Sequence, residues 1–253
     1  MSGRIPDHAV RLPVNFQDWE CLTFLHWPFE ADAVQRLVPE GLTVQEWDGR
    51  TWVGITPFRM ARVRVPGLPP LPGWGAFPEL NVRAYVRTGD GRDGIWFLGM
   101  VVPRLTFIAA LRTLGLPYER SHSSVSVDGS RWTYRFGTPH GIRSRPDAWF
   151  QAVVDVGRPL DTTERTPLVD SLTGRWTAYH RRARVLWRTP VVHEPWPLHT
   201  ATVTATTRRS AAAASTGSLT APLHWVGLPS PAEDPIVHAA PAVHTRLGVP
   251  RPA

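Results

Sequence analysis

Residues 81–88 alternate strictly, with Asn81, Arg83, Tyr85 and Arg87 on one side and Val82, Ala84 and Val86 on the other. A period of two belongs to a β-strand, whose successive side chains point to opposite faces, and not to a helix. The pattern recurs. Arg62–Val65 alternates, and Thr51–Phe58 is a run of apolar and aromatic residues. Asp128-Gly129 separates Ser124–Val127 from Arg131–Phe136, which predicts a hairpin because that pair tolerates the positive φ of a tight turn. The glycine-rich stretch Gly89–Gly94 leads into Ile95–Met100 as a second hairpin. Ala148–Val156, Trp176–Arg182, Ala183–Trp187 and Leu198–Thr206 complete roughly ten strands. No strand–helix–strand unit recurs, so a parallel sheet is disfavoured. The expected fold is mainly antiparallel β (α+β), closed or nearly closed, with two or three covering helices.

The helices expected are short. Asp32–Val38 stops before Pro39 and Gly41, Arg104–Leu114 ends at Gly115, and Pro167–Leu172 has Thr166 as N-cap and proline at its first position. Pro66–Pro78, rich in proline and glycine around Trp74, reads as a long loop of the kind that walls a pocket. Arg208–Ser218 reads as a surface loop, and Leu223-His224-Trp225 as a last strand. The expected layout is a lead at 1–14, one β domain at 15–228 and a loose proline- and alanine-rich tail at 229–253.

Composition excludes several functions. There is no lysine, and all 28 basic residues are arginine. Imine-forming catalysis through a side-chain amine is therefore ruled out. The net charge of +7 is spread over scattered arginines, so no nucleic-acid partner is expected. One cysteine, Cys21, excludes a disulfide framework and is expected as a buried thiol. The ten histidines lack metal-ligand spacing, so neither metal nor cofactor is expected. Gly89-x-Gly91-x-x-Gly94 opens no helix and is a turn, not a dinucleotide site. Neither an apolar leader nor a long apolar span is apparent, which points to a cytoplasmic location with no membrane partner. Self-association stays open.

The strand beginning at Glu79 carries an acid, an amide, an arginine and a phenol on one face: Glu79, Asn81, Arg83 and Tyr85. A solvated outer face would look the same. As a pocket wall, it would suit a small polar ligand, because arginine grips a carboxylate with paired hydrogen bonds and a buried glutamate can exchange protons. Arg175, which opens a later strand, could point inward, but a surface ion pair is the favoured reading.

The order and spacing of several segments add a resemblance. They are Leu25-His26-Trp27, Val38–Leu42, Asp48–Gly54, Thr56–Met60, Glu79–Val86, Gly94–Phe97, Leu116-Pro117-Tyr118, Gly174–Tyr179 and Val192–Leu198. Together they resemble the YqjF-like family of uncharacterised bacterial proteins, within the acetoacetate decarboxylase-like superfamily. The resemblance implies a closed or cone-like β-barrel with a central cavity. It also implies that Gly115-Leu116-Pro117-Tyr118-Glu119 stands where the decarboxylases carry their imine lysine. Tyr118 then replaces that lysine, Glu119 replaces its neighbour, and Glu79 matches a pocket glutamate. Tyr118 and Glu79 become the candidate catalytic pair, with Arg83, Asn81, Tyr85, Glu119 and His122 as candidate substrate-binding residues. The implied chemistry is acid–base work of lyase or isomerase type on a small carbonyl or carboxylate metabolite. Non-catalytic binding of such a molecule, or a protein-interaction role, are the alternatives left open by the residues.

Overall fold

The structure is a computed structural model that describes residues 3–69, 73–137, 139, 149–204 and 217–253. Its elements begin with β1 (Asn15–Phe29), α1 (Ala31–Gln35), β2 (Leu42–Val44), β3 (Glu46–Trp47), β4 (Arg50–Arg64) and β5 (Ala76–Thr88). Then follow β6 (Asp93–Val102), α2 (Leu105–Arg112), β7 (Tyr118–Arg120), β8 (Ser123–Asp128), β9 (Arg131–Phe136) and β10 (Trp149–Pro159). The last are α3 (Pro167–Thr173), β11 (Thr177–Arg182), β12 (Val185–Val192), β13 (His199–Thr204), β14 (Gly217–Ser218), α4 (Ala221–Trp225), β15 (Ile236–Leu247) and β16 (Arg251–Pro252). No helix among the described residues is long and apolar enough to cross a membrane.

The pairing order β12-β11-β6-β5-β4-β1-β15 closes on itself, because β15 also pairs with β12 through Val191↔Leu247 and Val192↔Arg246. From β15 the sheet continues as a side branch, β13-β10-β9-β8. The branch lays Trp132, Tyr134, Phe136, Phe150 and Val154 against the outer residues of the ring, such as Leu25, Val53 and Val82. The interior of the ring is a second core, built from Leu22, Phe24, Phe58, Met60, Met100 and Trp196 with α2 against it. The strands β1, β4 and β5 are therefore apolar or buried on both faces.

Two bulges turn the ring strands. The β1–β4 register shifts between Phe16 and Asp18, at Arg62-Val63 on β4, and again between Glu20 and Leu25, on β1. Cys21 and Arg62 both have positive φ, the left-handed geometry common at bulges. The freed Cys21 carbonyl accepts a hydrogen bond of 2.6 Å from the Tyr134 hydroxyl of the side branch. On the other side of β1, Pro241 lies between the pairs Glu20↔Ala242 and Leu22↔Ala240, where a residue without an N–H is tolerated. The Cys21 thiol itself is buried and free.

Several expectations are corrected. Residues 229–253 are not a loose tail: Ile236–Leu247 pairs with β1 along nearly its whole length and completes the ring. Leu223-His224-Trp225 is helical, because Pro222 sits in the first turn of α4. The expected loop at Pro66–Pro78 is shorter, since Ala76–Pro78 already belong to β5, and its residues 70–72 lie outside the described residues. Most of the Arg208–Ser218 loop also lies outside them, while Gly217-Ser218 pairs with β10. The Thr166 cap is as expected, its side chain accepting from the Val169 N–H at 3.2 Å.

Candidate functional site

A cavity of about 380 Å³ occupies the ring interior. Its polar strip comes from β5. The β4–β5 register sets Thr56 beside Asn81 and Phe58 beside Glu79, so these side chains share the inner face with Arg83. The other face of β5 (Leu80, Val82, Ala84 and Val86) packs against the side branch. Both faces are buried, and the polar face is the one turned to the cavity.

Tyr118 reaches this strip from two strands away. The Gly115 turn after α2, with φ of +82°, delivers it into β7, where Tyr118 pairs beside Met100. A Cβ on Gly115 would meet the Arg181 carbonyl oxygen, so the turn needs glycine. The Tyr118 hydroxyl donates to the Glu79 carboxyl, 3.2 Å from each oxygen, and both side chains are buried. Burial pushes the Glu79 pKa up to about 8, against the pull of hydrogen bonds from Tyr118 and Asn81. Burial, with the charge of Glu79 beside it, raises the Tyr118 hydroxyl well above the usual phenol range. At neutral pH the pair is a carboxylic acid and a phenol.

Arg83 is the charged end of the strip. It is 7% exposed, its guanidinium lies 5.0 Å over the Phe24 ring, and its Nε donates to the Tyr85 hydroxyl at 3.2 Å. Its Nη2 has no protein partner, nor do Asn81 Oδ1 and Thr56 Oγ1 on the same wall. Buried polar atoms are almost always paired, and orphans gathered on a cavity wall suit a polar ligand. Tyr85 does not line this cavity. It sits behind Arg83, its hydroxyl 2.6 Å from His26 Nε2. Burial, then the nearby Arg83 charge, holds the His26 pKa well below its usual range, so the ring is neutral. The pair fits only because residue 54 is glycine: a Cβ there would lie 2.8 Å from the Tyr85 oxygen.

Besides Tyr85, two more expected binding residues do not line the cavity. The alternation of β7 turns Tyr118 inward and Glu119 outward, where Glu119 pairs with Arg112 at 2.6 Å. His122 follows β7 on the exposed surface. Arg175, expected as a surface residue, is instead buried and lines the cavity. It donates to Ser171 at 2.9 Å and lies 3.7 Å from Asp93 and 5.0 Å over the Tyr85 ring. Its Nε and Nη1 make no hydrogen bond. It also lines a second cleft of about 400 Å³, which includes Trp47, Trp52 and Tyr85. Its one sequence signal is its place as the lone charge in the otherwise uncharged run Thr173–His180. His193, packed on Trp176 at 4.6 Å and Trp196 at 4.4 Å, is another unforeseen wall residue; burial pushes its pKa down to about 4.

Residues 16–244 match a family described as uncharacterized conserved proteins, DUF2071. Over 245 residues the chain is 30% identical to the uncharacterized protein YqjF of Bacillus subtilis (strain 168), spanning 95% of this chain and 94% of that protein. In fold it is similar to an acetoacetate decarboxylase-like enzyme from Sphingomonas wittichii RW1 (TM-score 0.63, 10% identity, 98% of this chain and 95% of that one). It is also similar to the enduracididine biosynthesis enzyme MppR, complexed with pyruvate (TM-score 0.61, 14% identity, 97% and 93% covered). At these identities the structural likenesses concern the fold alone.

Proposed function

We propose that this chain, which belongs to the DUF2071 family of uncharacterized conserved proteins, binds a carbonyl metabolite bearing a carboxylate in the ring cavity and moves a proton on it without an imine. The observation that carries the reading is the buried Glu79–Tyr118 pair on the same wall as Arg83, whose Nη2 has no protein partner. Arg83 would hold the carboxylate, with Arg175 adding positive charge from a second element. Tyr118 would hydrogen-bond the carbonyl oxygen, stabilising the charge that develops there as an enolate forms. Glu79, with a pKa near 8, can both give and take a proton at neutral pH, which is what acid–base catalysis next to a carbonyl needs. With no lysine in the chain, an imine to a side chain has no role. The fold neighbour solved with pyruvate, a small oxo acid, supports a ligand of this kind.

The cavity is walled mostly by apolar side chains with few convergent polar groups, which favours a second reading, binding without turnover. One experiment separates the two. Oxo acids are screened by thermal shift, and hits are followed by NMR in D2O for exchange of the proton next to the carbonyl. Catalysis predicts exchange that Glu79→Gln abolishes while binding persists, and loss of binding in Arg83→Ala. A hit without exchange in the unmodified protein leaves the binding role. If no carboxylate gives a shift, the carboxylate pocket itself is wrong.

A further inference from the structure

The polar strip occupies only part of the cavity wall. Beyond it lie two groups of aromatic rings. In one, Trp19 stacks on Trp196 at 6.1 Å and tilts against Phe58 at 5.8 Å and His193 at 5.9 Å. In the other, Phe107 meets the edge of Trp74 at 4.9 Å and of Tyr118 at 5.2 Å. All of these residues line the cavity. Tyr118 ties the second group to Glu79, and Phe24, under the Arg83 guanidinium, touches Trp196 edge-on at 5.0 Å. The charged groups are thus flanked by ring faces.

Size and charge then narrow the ligand. A volume of about 380 Å³ falls in the range of sites that enclose drug-sized ligands. A three-carbon acid at Arg83 would leave the ring walls facing water. An aromatic cage is also a way to hold an organic cation, but this one contains Arg83 and Arg175, and Glu79 is the one carboxyl among its described lining residues. Such a cavity repels a cation and takes an anion.

Resting on the carboxylate reading above, we infer that the ligand is a monoanionic carboxylate carrying a bulky apolar body, with an aryl ring or branched chain. Its charged end lies on Arg83 and its body between the Trp19–Phe58–Trp196 and Trp74–Phe107 walls. The apolar body supplies most of the affinity and the carboxylate sets its direction.

The test is isothermal titration of the full chain with pyruvate, 4-methyl-2-oxopentanoate, phenylpyruvate and the neutral ketone phenylacetone. Burying a ring the size of a phenyl is expected to tighten binding about tenfold to a hundredfold from pyruvate to phenylpyruvate. Trp19→Ala and Trp74→Ala, each at a half-buried residue, should weaken phenylpyruvate and leave pyruvate unchanged, whereas Arg83→Ala should weaken both acids. Equal affinity for pyruvate and phenylpyruvate, or indifference of phenylpyruvate to both tryptophan variants, overturns the inference and leaves the carboxylate pocket standing. Phenylacetone binding as tightly as phenylpyruvate, with no effect of Arg83→Ala, removes the carboxylate anchor and both readings with it.

Discussion

At Glu79 two forces oppose each other, and burial wins: hydrogen bonds from Tyr118 and Asn81 favour the carboxylate, yet the pKa rises to about 8. The folded chain therefore binds this proton more tightly than the unfolded chain, whose glutamate titrates near about 4.3. The stability Glu79 contributes is full below about 4.3 and is lost as pH climbs to about 8. His26 and His193, held neutral by burial, act in the opposite sense, losing stability as pH falls below about 6.5. Between about pH 6.5 and 8 Glu79 titrates alongside the exposed His244, whose pKa is raised by its hydrogen bond with Asp18 and whose contribution is lost in the same direction. Melting temperature should fall across this range, by the equivalent of a few kcal/mol at most, and fall less steeply in Glu79→Gln, with the remaining slope removed by also replacing His244. Tyr85 gives a second expectation. Tyr85→Phe strands His26 Nε2 and Arg83 Nε in the interior, so chemical denaturation should show a loss of about 2–3 kcal/mol. Gly54→Ala should reproduce that loss by pushing the phenol away, and both variants should weaken ligand binding by freeing the Arg83 side chain. The parity of residues 79–83 announced the polar strip in the sequence, because alternation is local. Whether that face met water or a cavity was not local, and neither was the burial of Arg175, which depends on Asp93 and Ser171 from other elements.

Strands were legible where alternation was clean and illegible where it broke. β1 escaped notice although it is central to the ring: Leu22–Phe29 is buried on both faces, and the bulge at Cys21 reverses the alternation that precedes it. β15 was hidden by composition. Its Ala239 and Ala240 are fully buried but small, and Pro241 argues against a strand except where the Cys21 bulge excuses it. A chain shortened to end at Leu228 should therefore lose cooperative unfolding in a thermal scan, since β1 and β12 would each lose a paired edge. The β11–β12 hairpin offers a gain instead. Its two-residue turn, Ala183-Arg184, holds both residues at positive φ (48° and 67°), a conformation suited to Asn-Gly. Replacing the pair with Ala183→Asn and Arg184→Gly should raise stability by about 1 kcal/mol in a denaturant titration, with the site untouched.

The molecule as a whole is a closed strand ring with a four-strand branch laid over one side, giving one core inside the ring and another between ring and branch. That division explains how a buried polar strip is tolerated: the outer core carries the load of packing, so the inner face of β5 can keep Glu79, Asn81 and Arg83. Folding should be slow for a domain of this size, because the ring is built from distant pairings, and stopped-flow refolding is expected in milliseconds to seconds rather than microseconds. The antiparallel seam from Asn15↔Leu247 to His26↔Ile236 joins the earliest long strand to the last one. On the ribosome β1 is made well before its partner β15, so the edge of β1 that faces β15 stays unpaired until Ile236–Leu247 has been translated. While residues 30–235 are being made, the nascent chain therefore carries an open strand edge, a natural client for a holding chaperone until the seam is zipped.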